Sequence, residues 1–278
     1  MKFNLCLIRP EGHVHASAYD EVLDVLEAAL TSLGHPVARS VNGIQPDARN
    51  IVFGFYFLDH ALAPQLPRDT LLFNTEQLVR DDSPMARSTL WWCQQGFEVW
   101  DYSPAGVAHL KGLGVSAKLF RLGFHPALAR IAPAAEQDID VLFYGSINER
   151  RRNIIEALKQ RGLHVFLAFG AYGKPRDALI ARSKVVLNMH YYDSKIFEVV
   201  RCFYLMANAK AVVSEAGADT LMDEVYRPGL LTAPYEELAA HCVSLVTDAP
   251  RRAALERQAL HTLRQIDQVD IVRRLLAS

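Results

Sequence analysis

The sequence predicts an α/β protein built from two doubly wound parallel-sheet domains that face each other across a cleft, with helices at the carboxyl end. Short apolar runs rich in Val, Ile and Phe alternate with helical segments along the 278 residues, which is typical of repeated βα units. The alternation breaks once, over the alanine- and proline-rich stretch 124–139, and then begins again. A chain of this length has room for two such domains.

The first half, residues 1–123, is expected to form one domain. Its first amphipathic helix ends at Gly34, and the Ser83-Pro84 and Ser103-Pro104 pairs open later helices, since proline is favoured in the first helical turn. Six apolar runs alternate with these helices and are predicted to be strands: 3–8, 37–41, 50–57, 70–73, 98–102 and 117–122.

Residues 124–139 lack any periodicity and are predicted to be a linker, and residues 140–278 are expected to form the second domain. The predicted strands of this half are 140–144, 164–169, 184–187 and 211–213, and the predicted helices between them are 149–161, 177–182 and 195–207. From residue 235 onward the pattern favours two amphipathic helices whose arginines form a solvated face.

Composition excludes several classes of protein. With 22% charged residues, 50% hydrophobic residues and a formal net charge of -1, the chain has no electrostatic signature of nucleic-acid or membrane-surface binding. No apolar run is long enough for a transmembrane segment. The amino terminus does not resemble a signal peptide, and the four cysteines are scattered without paired spacing. We therefore expect a cytoplasmic protein with reduced thiols.

The strongest functional signal lies between Ser183 and Glu215, which reads as strand, polar loop, apolar helix and strand. Lys195, Glu198 and Arg201 are three residues apart, so they share one stripe of the predicted helix. Charges on a buried helix are costly unless they are paired or used by a ligand, and ligands of open α/β sheets bind beyond the carboxyl ends of strands. The stripe therefore predicts a binding crevice, although a structural ion-pair ladder explains it equally well.

A candidate anion site follows the first strand of the second half. Gly145, Ser146 and Asn148 form the turn into a helix that carries Arg150 and Arg151. The N–H groups at a helix start favour anions, and arginine can add a bidentate phosphate contact. The alternative is an ordinary βα turn with exposed arginines.

The next strand is followed by a second glycine-containing loop. Gly170 and Gly173 allow close approach of a ligand, Tyr172 can stack on a nucleobase, and Lys174 can meet a phosphate. A flexible loop with a solvated lysine is an equal alternative.

His190 and Tyr191 leave the central strand beside Glu198. A carboxylate at the start of a helix suits the paired hydroxyls of a ribose, because each oxygen accepts one hydroxyl proton. His190 is expected to donate to a phosphate or a sugar hydroxyl, with a packing role as the alternative.

Candidate catalytic residues lie in the first half. His13 and His15 are on the loop after the first strand, where a general base would meet an acceptor hydroxyl. Glu76 and Asp101 lie at the ends of two other predicted strands and can do the same job, although each residue taken alone is more often structural. The two histidines lack further ligands for a metal, and the sequence contains no HExxH, CxxC, P-loop or nucleophile-elbow motif.

The stretch 140–215 resembles the nucleotide-sugar half of GT-B glycosyltransferases, in particular the group-1 and spore-maturation-type families. The resemblance rests on DVLFYGSINERR, the GAYG loop, SKVVLNMHYYDSKIFEVVR and AVVSE, with weaker similarity in FNTEQL and EVWDYSPAGVAHL. Many of these enzymes carry two glutamates eight positions apart, and the second binds the ribose of the nucleotide sugar. His190 and Glu198 have this spacing, so the resemblance assigns the ribose to Glu198. His190 stands in place of the first glutamate, and Asn208-Ala209-Lys210 stands near the usual Cys-Gly pair.

The resemblance implies two Rossmann-like domains, with the acceptor on the first and the nucleotide sugar on the second. It implies transfer of a sugar from a nucleotide diphosphate to an unidentified hydroxyl or amine of a glycan, small molecule or protein, without a metal or any cofactor besides this co-substrate. Arg150, Arg151 and Lys174 are the first candidates for the diphosphate, and Lys195 and Arg201 are further ones. A nucleotide-sugar epimerase and a non-catalytic nucleotide-binding partner protein are the alternatives.

Overall fold

A computed structural model describes residues 1–12, 14–79, 83–192 and 195–278, and for residues 14–16 it describes the backbone only. The chain divides into two compact units, which we call unit 1 (Met1–Leu122 with Gln268–Ser278) and unit 2 (Gly123–Asp267). Each unit contains one parallel β-sheet with helices, so the predicted fold class is confirmed.

Unit 1 contains a six-stranded parallel sheet in the order β2-β1-β3-β4-β5-β6. The strands are β1 (Phe3–Leu7), β2 (Val37–Val41), β3 (Arg49–Phe53), β4 (Leu71–Asn74), β5 (Glu98–Asp101) and β6 (Ala117–Leu119). The helices are α1 (Asp20–Ser32), α2 (Pro84–Cys93) and α3 (Pro104–Gly112), together with the last helix of the chain, α9 (Gln268–Ala277). The core of this unit is rich in aromatic side chains, among them the fully buried Trp92 and Phe55.

The two Ser-Pro helix starts form as the sequence predicts. The Ser83 hydroxyl accepts the N–H of Ala86 at 3.1 Å, and the Ser103 hydroxyl accepts the N–H of Gly106 at 3.3 Å. Proline occupies the first turn of each helix, where no N–H donor is needed.

Unit 2 contains a five-stranded parallel sheet in the order β11-β10-β9-β7-β8. The strands are β7 (Ile139–Tyr144), β8 (Val165–Ala168), β9 (Ser183–Asn188), β10 (Ala211–Glu215) and β11 (Leu231–Ala233). The helices are α4 (Glu149–Gln160), α5 (Gly173–Arg182), α6 (Val199–Ala207), α7 (Leu238–Thr247) and α8 (Ala249–Arg264). The strand order reverses between β7 and β9, and such a reversal opens a crevice at the carboxyl ends of these strands.

Two helices begin at different residues from those predicted. The helix expected over 195–207 begins only at Val199, because Ile196 pairs with Leu221 in an isolated bridge and the N–H of Phe197 donates to the Leu221 carbonyl at 3.1 Å. Lys195 has a left-handed backbone with φ of 49°, so it does not share a helical stripe with Glu198 and Arg201. The helix expected over 177–182 begins at Gly173.

The division into units differs from the expected domain boundaries at two places. Residues 124–139, expected to be a linker, lie within unit 2, and the last helix lies within unit 1. Helix α9 packs against α1, and the Gln268 side chain donates to the Arg121 carbonyl at 3.3 Å. The segment after residue 235 contains three described α-helices, where the sequence predicts two. The third of them, α9, belongs to unit 1.

No helix in the described part of the chain combines the length and apolar character needed to cross a membrane.

Candidate functional site

Glu198 stands immediately before α6, at the carboxyl edge of the unit 2 sheet. Its carboxylate accepts the Asn188 side-chain amide at 3.0 Å, and His190 Nδ1 lies 3.2 Å from each of its oxygens. Burial by itself raises the pKa of Glu198, but the hydrogen bond from His190 and the positive charge of Arg201 outweigh it and hold the pKa below its ordinary value. The group is therefore an ionised carboxylate at neutral pH, and its side chain remains 16% exposed to a ligand.

Asn188, the last residue of β9, connects the strands to α6. Its amide nitrogen donates to Glu198 and to the Ser214 hydroxyl, each at 3.0 Å, and its amide oxygen accepts from Arg201 Nη1 at 2.6 Å. The side chain is fully buried. Asn188 therefore fixes the carboxylate of Glu198 and the guanidinium of Arg201 relative to each other.

Arg151 joins the loop after β7 to the loop after β9. Its guanidinium is 3% exposed and donates to the backbone carbonyls of Ser146 at 2.8 Å, His190 at 3.2 Å, and Met189. Burial and the neighbouring charge of Arg201 lower the pKa of Arg151 to about 10, so it remains charged at neutral pH. All three nitrogens of the Arg151 guanidinium thus already donate to backbone carbonyls of the protein.

Arg150 is also engaged by protein groups. Both terminal nitrogens of its guanidinium donate to the Glu215 carboxylate, one of them at 2.6 Å, and its central carbon lies 4.0 Å from the centre of the Tyr235 ring. Glu215 additionally accepts the backbone N–H of His190 at 3.0 Å. Arg150 thus forms a paired structural contact at the end of β10.

Arg201 is different, because its Nε atom is buried and has no hydrogen-bond partner among the described residues. The guanidinium carbon lies 5.0 Å from the centre of the Tyr144 ring, and Nη2 lies 3.0 Å from the point that a Cβ atom on Gly145 would occupy. Gly145 has φ of 130°, a backbone conformation that side chains disfavour. A buried unpaired donor costs about 1–3 kcal/mol, so this position is suited to a ligand that accepts a hydrogen bond.

Direct contacts join most of the predicted site residues. Asn148 caps α4 by accepting the N–H of Arg151 at 2.9 Å, and its amide donates to the Tyr191 carbonyl at 3.4 Å. The Tyr191 ring is 41% exposed and lies 5.0 Å from the Arg151 guanidinium. The residues that these contacts bring together are Gly145, Ser146, Asn148, Arg150, Arg151, His190, Tyr191, Glu198 and Arg201.

Three further predicted residues belong to the segment before α6 and to the start of α5. Lys195 forms a 2.6 Å ion pair with Asp219 on the exposed surface. Tyr172 precedes α5, and Lys174 is exposed in its first turn.

His190 does not project into solvent. It is 3% exposed, with Nδ1 directed at Glu198 and Nε2 lying 3.1 Å from the Thr220 hydroxyl. Sequence reasoning did not select Asn188 or Thr220. Asn188 had a usable signal, because it is a polar residue that ends an apolar strand, whereas Thr220 had none.

In unit 1, His13 lies outside the described residues, and so does the side chain of His15. Glu76 follows β4 and accepts the Tyr19 hydroxyl at 3.0 Å, while its backbone is held by two 3.0 Å hydrogen bonds with the Asn74 amide. Glu76 is half-buried, and its carboxylate also interacts with Tyr56.

Asp101 is 1% exposed and accepts hydrogen bonds from Asn74 at 2.6 Å and from the N–H of Ser103 at 2.7 Å. Burial raises its pKa to about 7 despite these two donors. A Cβ atom on Gly106 would clash with its carboxylate, so Asp101 is enclosed beneath the start of α3. This geometry fits a structural cap.

Comparison with known sequences gives partial matches. No family model matches the chain. Three proteins of Acanthamoeba polyphaga mimivirus, each described as uncharacterized, match it at 38% identity over 119 residues, 28% over 177 and 28% over 128. These matches cover 41%, 62% and 45% of this chain but only 13%, 24% and 42% of the viral proteins.

Comparison with solved structures gives matches over the whole chain. Anabaena HepE in complex with UDP and glucose matches with a TM-score of 0.64 and 13% identity, covering 98% of both chains. Sucrose-phosphate synthase from Thermosynechococcus elongatus gives 0.64 and 12%, covering 99% of both. AviGT4, a glycosyltransferase involved in avilamycin A biosynthesis, gives 0.62 and 16%, covering 100% of this chain and 96% of its own. The chain therefore has the GT-B glycosyltransferase fold that its sequence predicts.

Proposed function

We propose that the protein is a glycosyltransferase that binds a nucleotide-diphosphate sugar in unit 2 and transfers the sugar to a hydroxyl or amine acceptor. The observation that carries this proposal is the pairing of an ionised carboxylate, Glu198, with a neighbouring guanidinium, Arg201, whose Nε lacks a partner. Both are fixed by Asn188 at the edge of the sheet where the strand order reverses.

The chemistry of this pair fits a nucleoside diphosphate. The two oxygens of Glu198 can accept the two hydroxyls of a ribose, and Arg201 Nε can donate to a phosphate oxygen. Gly145 leaves open the space beside Arg201 that a side chain would fill. The three arginines of this cluster outnumber its two carboxylates, Glu198 and Glu215, so the site favours an anion.

The nucleotide is proposed by analogy with the solved structures of the same fold. HepE was solved with UDP and glucose and with UDP-glucose. UDP-sugars are therefore the first compounds to test. The screen described below tests which base and which sugar this chain binds.

In the proposed reaction, the bond between the anomeric carbon and the β-phosphate oxygen breaks, and an acceptor oxygen or nitrogen bonds to that carbon. The leaving diphosphate is stabilised by Arg201 and by the positive end of the α4 dipole. We propose that this happens without a metal ion. The acceptor proton passes to a protein base or to the departing phosphate. We propose that unit 1 supplies the acceptor side, with Glu76 the base candidate whose contacts are described and His13 and His15 as alternatives.

The test begins with a thermal-shift screen against UDP, GDP, ADP, CMP, dTDP and their sugars, with and without EDTA. A selective rise in melting temperature that survives EDTA supports a metal-independent nucleotide site. Replacing Glu198 with alanine should then weaken nucleotide binding about 10- to 150-fold, because charge-assisted hydrogen bonds contribute about 1.5–3 kcal/mol. Glu224→Ala is the matched control, since Glu224 is exposed and forms a local ion pair with Arg227. Equal affinity of the wild type and Glu198→Ala would contradict the ribose assignment.

Turnover separates transfer from the two alternatives. A glycosyltransferase releases UDP from the UDP-sugar, by transfer or by slow hydrolysis. An epimerase isomerises the sugar and leaves it attached to UDP. A binding protein does neither.

A further inference from the structure

A chain of hydrogen bonds runs from the loop after β10 to the Glu198 carboxylate. The Thr220 hydroxyl accepts the backbone N–H of Gly217 at 3.0 Å and lies 3.1 Å from His190 Nε2. On the other side of the imidazole ring, Nδ1 lies 3.2 Å from both oxygens of Glu198. Thr220 therefore connects to the carboxylate through a single side chain.

The donors and acceptors of this chain fit one tautomer of a neutral His190. An ionised carboxylate can only accept, so His190 Nδ1 carries the proton and donates to Glu198. In a neutral imidazole Nε2 is then an acceptor, which requires the Thr220 hydroxyl to donate to it. The Thr220 oxygen remains free to accept from Gly217, as the 3.0 Å contact shows. For a neutral ring, this is the single tautomer that satisfies every group in the chain.

The surroundings hold both ends of the chain in place. His190 is 3% exposed, and its backbone N–H is bonded to Glu215, so the ring has little freedom to turn away. The loop that carries Thr220 is tied to the segment before α6 by the bridge between Ile196 and Leu221 and by the ion pair between Lys195 and Asp219. The segment before α6 and the loop after β10 are therefore joined beside Glu198.

We propose that Thr220 is a positioning residue, which acts through the His190 tautomer to orient the Glu198 carboxylate towards the ribose hydroxyls. This inference rests on the nucleotide site proposed above. The ionised carboxylate holds the proton of a neutral His190 at Nδ1, and the hydrogen bond from Thr220 to Nε2 adds to this preference. Without the Thr220 hydroxyl that second contribution is lost and the Nε2–H tautomer gains population. In that tautomer the lone pair of Nδ1 faces the carboxylate and displaces it. The resulting loss affects recognition of the ribose hydroxyls and leaves the contacts to the diphosphate unchanged.

The binding test compares UDP with 2′-deoxy-UDP, and GDP with 2′-deoxy-GDP in parallel, by calorimetric titration. Thr220→Val removes the hydroxyl and retains the shape, Thr220→Ser retains the hydroxyl, and Thr247→Val is a matched control on the exposed end of α7. The preference for ribose over deoxyribose should fall about 3- to 10-fold in Thr220→Val, since one hydrogen bond contributes about 0.5–1.5 kcal/mol. Thr220→Ser and Thr247→Val should retain the wild-type preference. An unchanged preference in Thr220→Val, or an equal fall in Thr220→Ser, would overturn the proposal.

A second measurement does not depend on nucleotide binding. Long-range proton–nitrogen NMR correlations report which ring nitrogen of His190 carries the proton. The wild type should show the Nδ1–H tautomer, and Thr220→Val should lose it in part. An Nε2–H tautomer in the wild type would overturn the proposed role of Thr220 even if nucleotides bind. If no nucleotide binds but the Nδ1–H tautomer depends on Thr220, the hydrogen-bond chain from Thr220 to Glu198 is supported and the proposed function fails.

Discussion

Replacing Arg201 with methionine tests whether its unpaired nitrogen is the contact for a diphosphate. Among the three arginines of the site, Arg150 is paired with Glu215, and Arg151 donates to three backbone carbonyls. Arg201 donates one hydrogen bond to Asn188, and its buried Nε has no partner among the residues that the structure describes. The substitution therefore removes the guanidinium with the greatest remaining capacity to donate.

The size of the effect follows from the contacts. A phosphate oxygen that accepts from Arg201 Nε would form a charge-assisted hydrogen bond contributing about 1.5–3 kcal/mol, which corresponds to about a 10- to 150-fold loss of affinity for UDP. In the free protein, methionine removes the unpaired donor, a gain of about 1–3 kcal/mol, and loses the 2.6 Å bond to Asn188, a cost of similar size. The free energy of unfolding should therefore change little.

The assay is calorimetric titration of UDP and of uridine, with urea unfolding as the check on stability. Arg182→Met is the matched control, because it removes the same charge from unit 2 at an exposed pair with Asp138. Arg201→Met should weaken the binding of UDP far more than the binding of uridine, whereas Arg182→Met should change neither. If Arg201→Met lowers the affinities for UDP and uridine equally, or lowers neither, the reasoning from the unpaired nitrogen is refuted.

Three further substitutions test the local structure by urea unfolding. Gly145→Ala should destabilise the protein by about 1–3 kcal/mol and weaken UDP binding, because Gly145 has φ of 130° and the new Cβ would lie 3.0 Å from Arg201 Nη2. A variant with the stability and UDP affinity of the wild type would contradict this. Ala209→Gly should stabilise it by roughly 0.5–1 kcal/mol, since Ala209 has φ of 50°, and a loss of stability would show that the alanine is unstrained. Lys210 is 1% exposed and donates to the Ser183 carbonyl, and burial lowers its pKa from 10.5 to about 8. The unfolded chain therefore binds the proton more tightly between these pH values, so the wild type gains stability as pH rises through them. Lys210→Met should be more stable at pH 7 by up to about 3 kcal/mol, with the difference shrinking towards pH 10.5, and a pH-independent difference would contradict the cause.

The sheets could be predicted because their signal is local. Buried β-branched runs such as Ser183–Asn188 and Ala211–Glu215 stand out from polar loops, and the break after residue 123 separates two repeats of the same pattern. The edge of the sheet that carries the candidate site follows from these runs.

The start of α6 could not be predicted, because tertiary pairing overrides the local pattern there. Ile196 and Phe197 continue the apolar periodicity of the helix, but they pair with Leu221, a residue far along the chain. The position of α9 likewise depends on its packing against α1 in the other part of the sequence.

The roles of the arginines could not be separated from the sequence. Arg150, Arg151 and Arg201 have the same side chain, and which of them is paired depends on Glu215, on three carbonyls and on Asn188. For His190, the eight-residue spacing to Glu198 correctly placed the two side chains together, but its second contact, Thr220, lies 30 residues away.

The most direct test of the nucleotide site is a crystal structure of the protein with UDP, or with the nucleoside diphosphate that the thermal screen selects, grown in EDTA. We predict that a phosphate oxygen accepts from Arg201 Nε and that the ribose hydroxyls donate to the Glu198 carboxylate. A nucleotide bound elsewhere, or an Arg201 Nε that still lacks a partner in the complex, would contradict it.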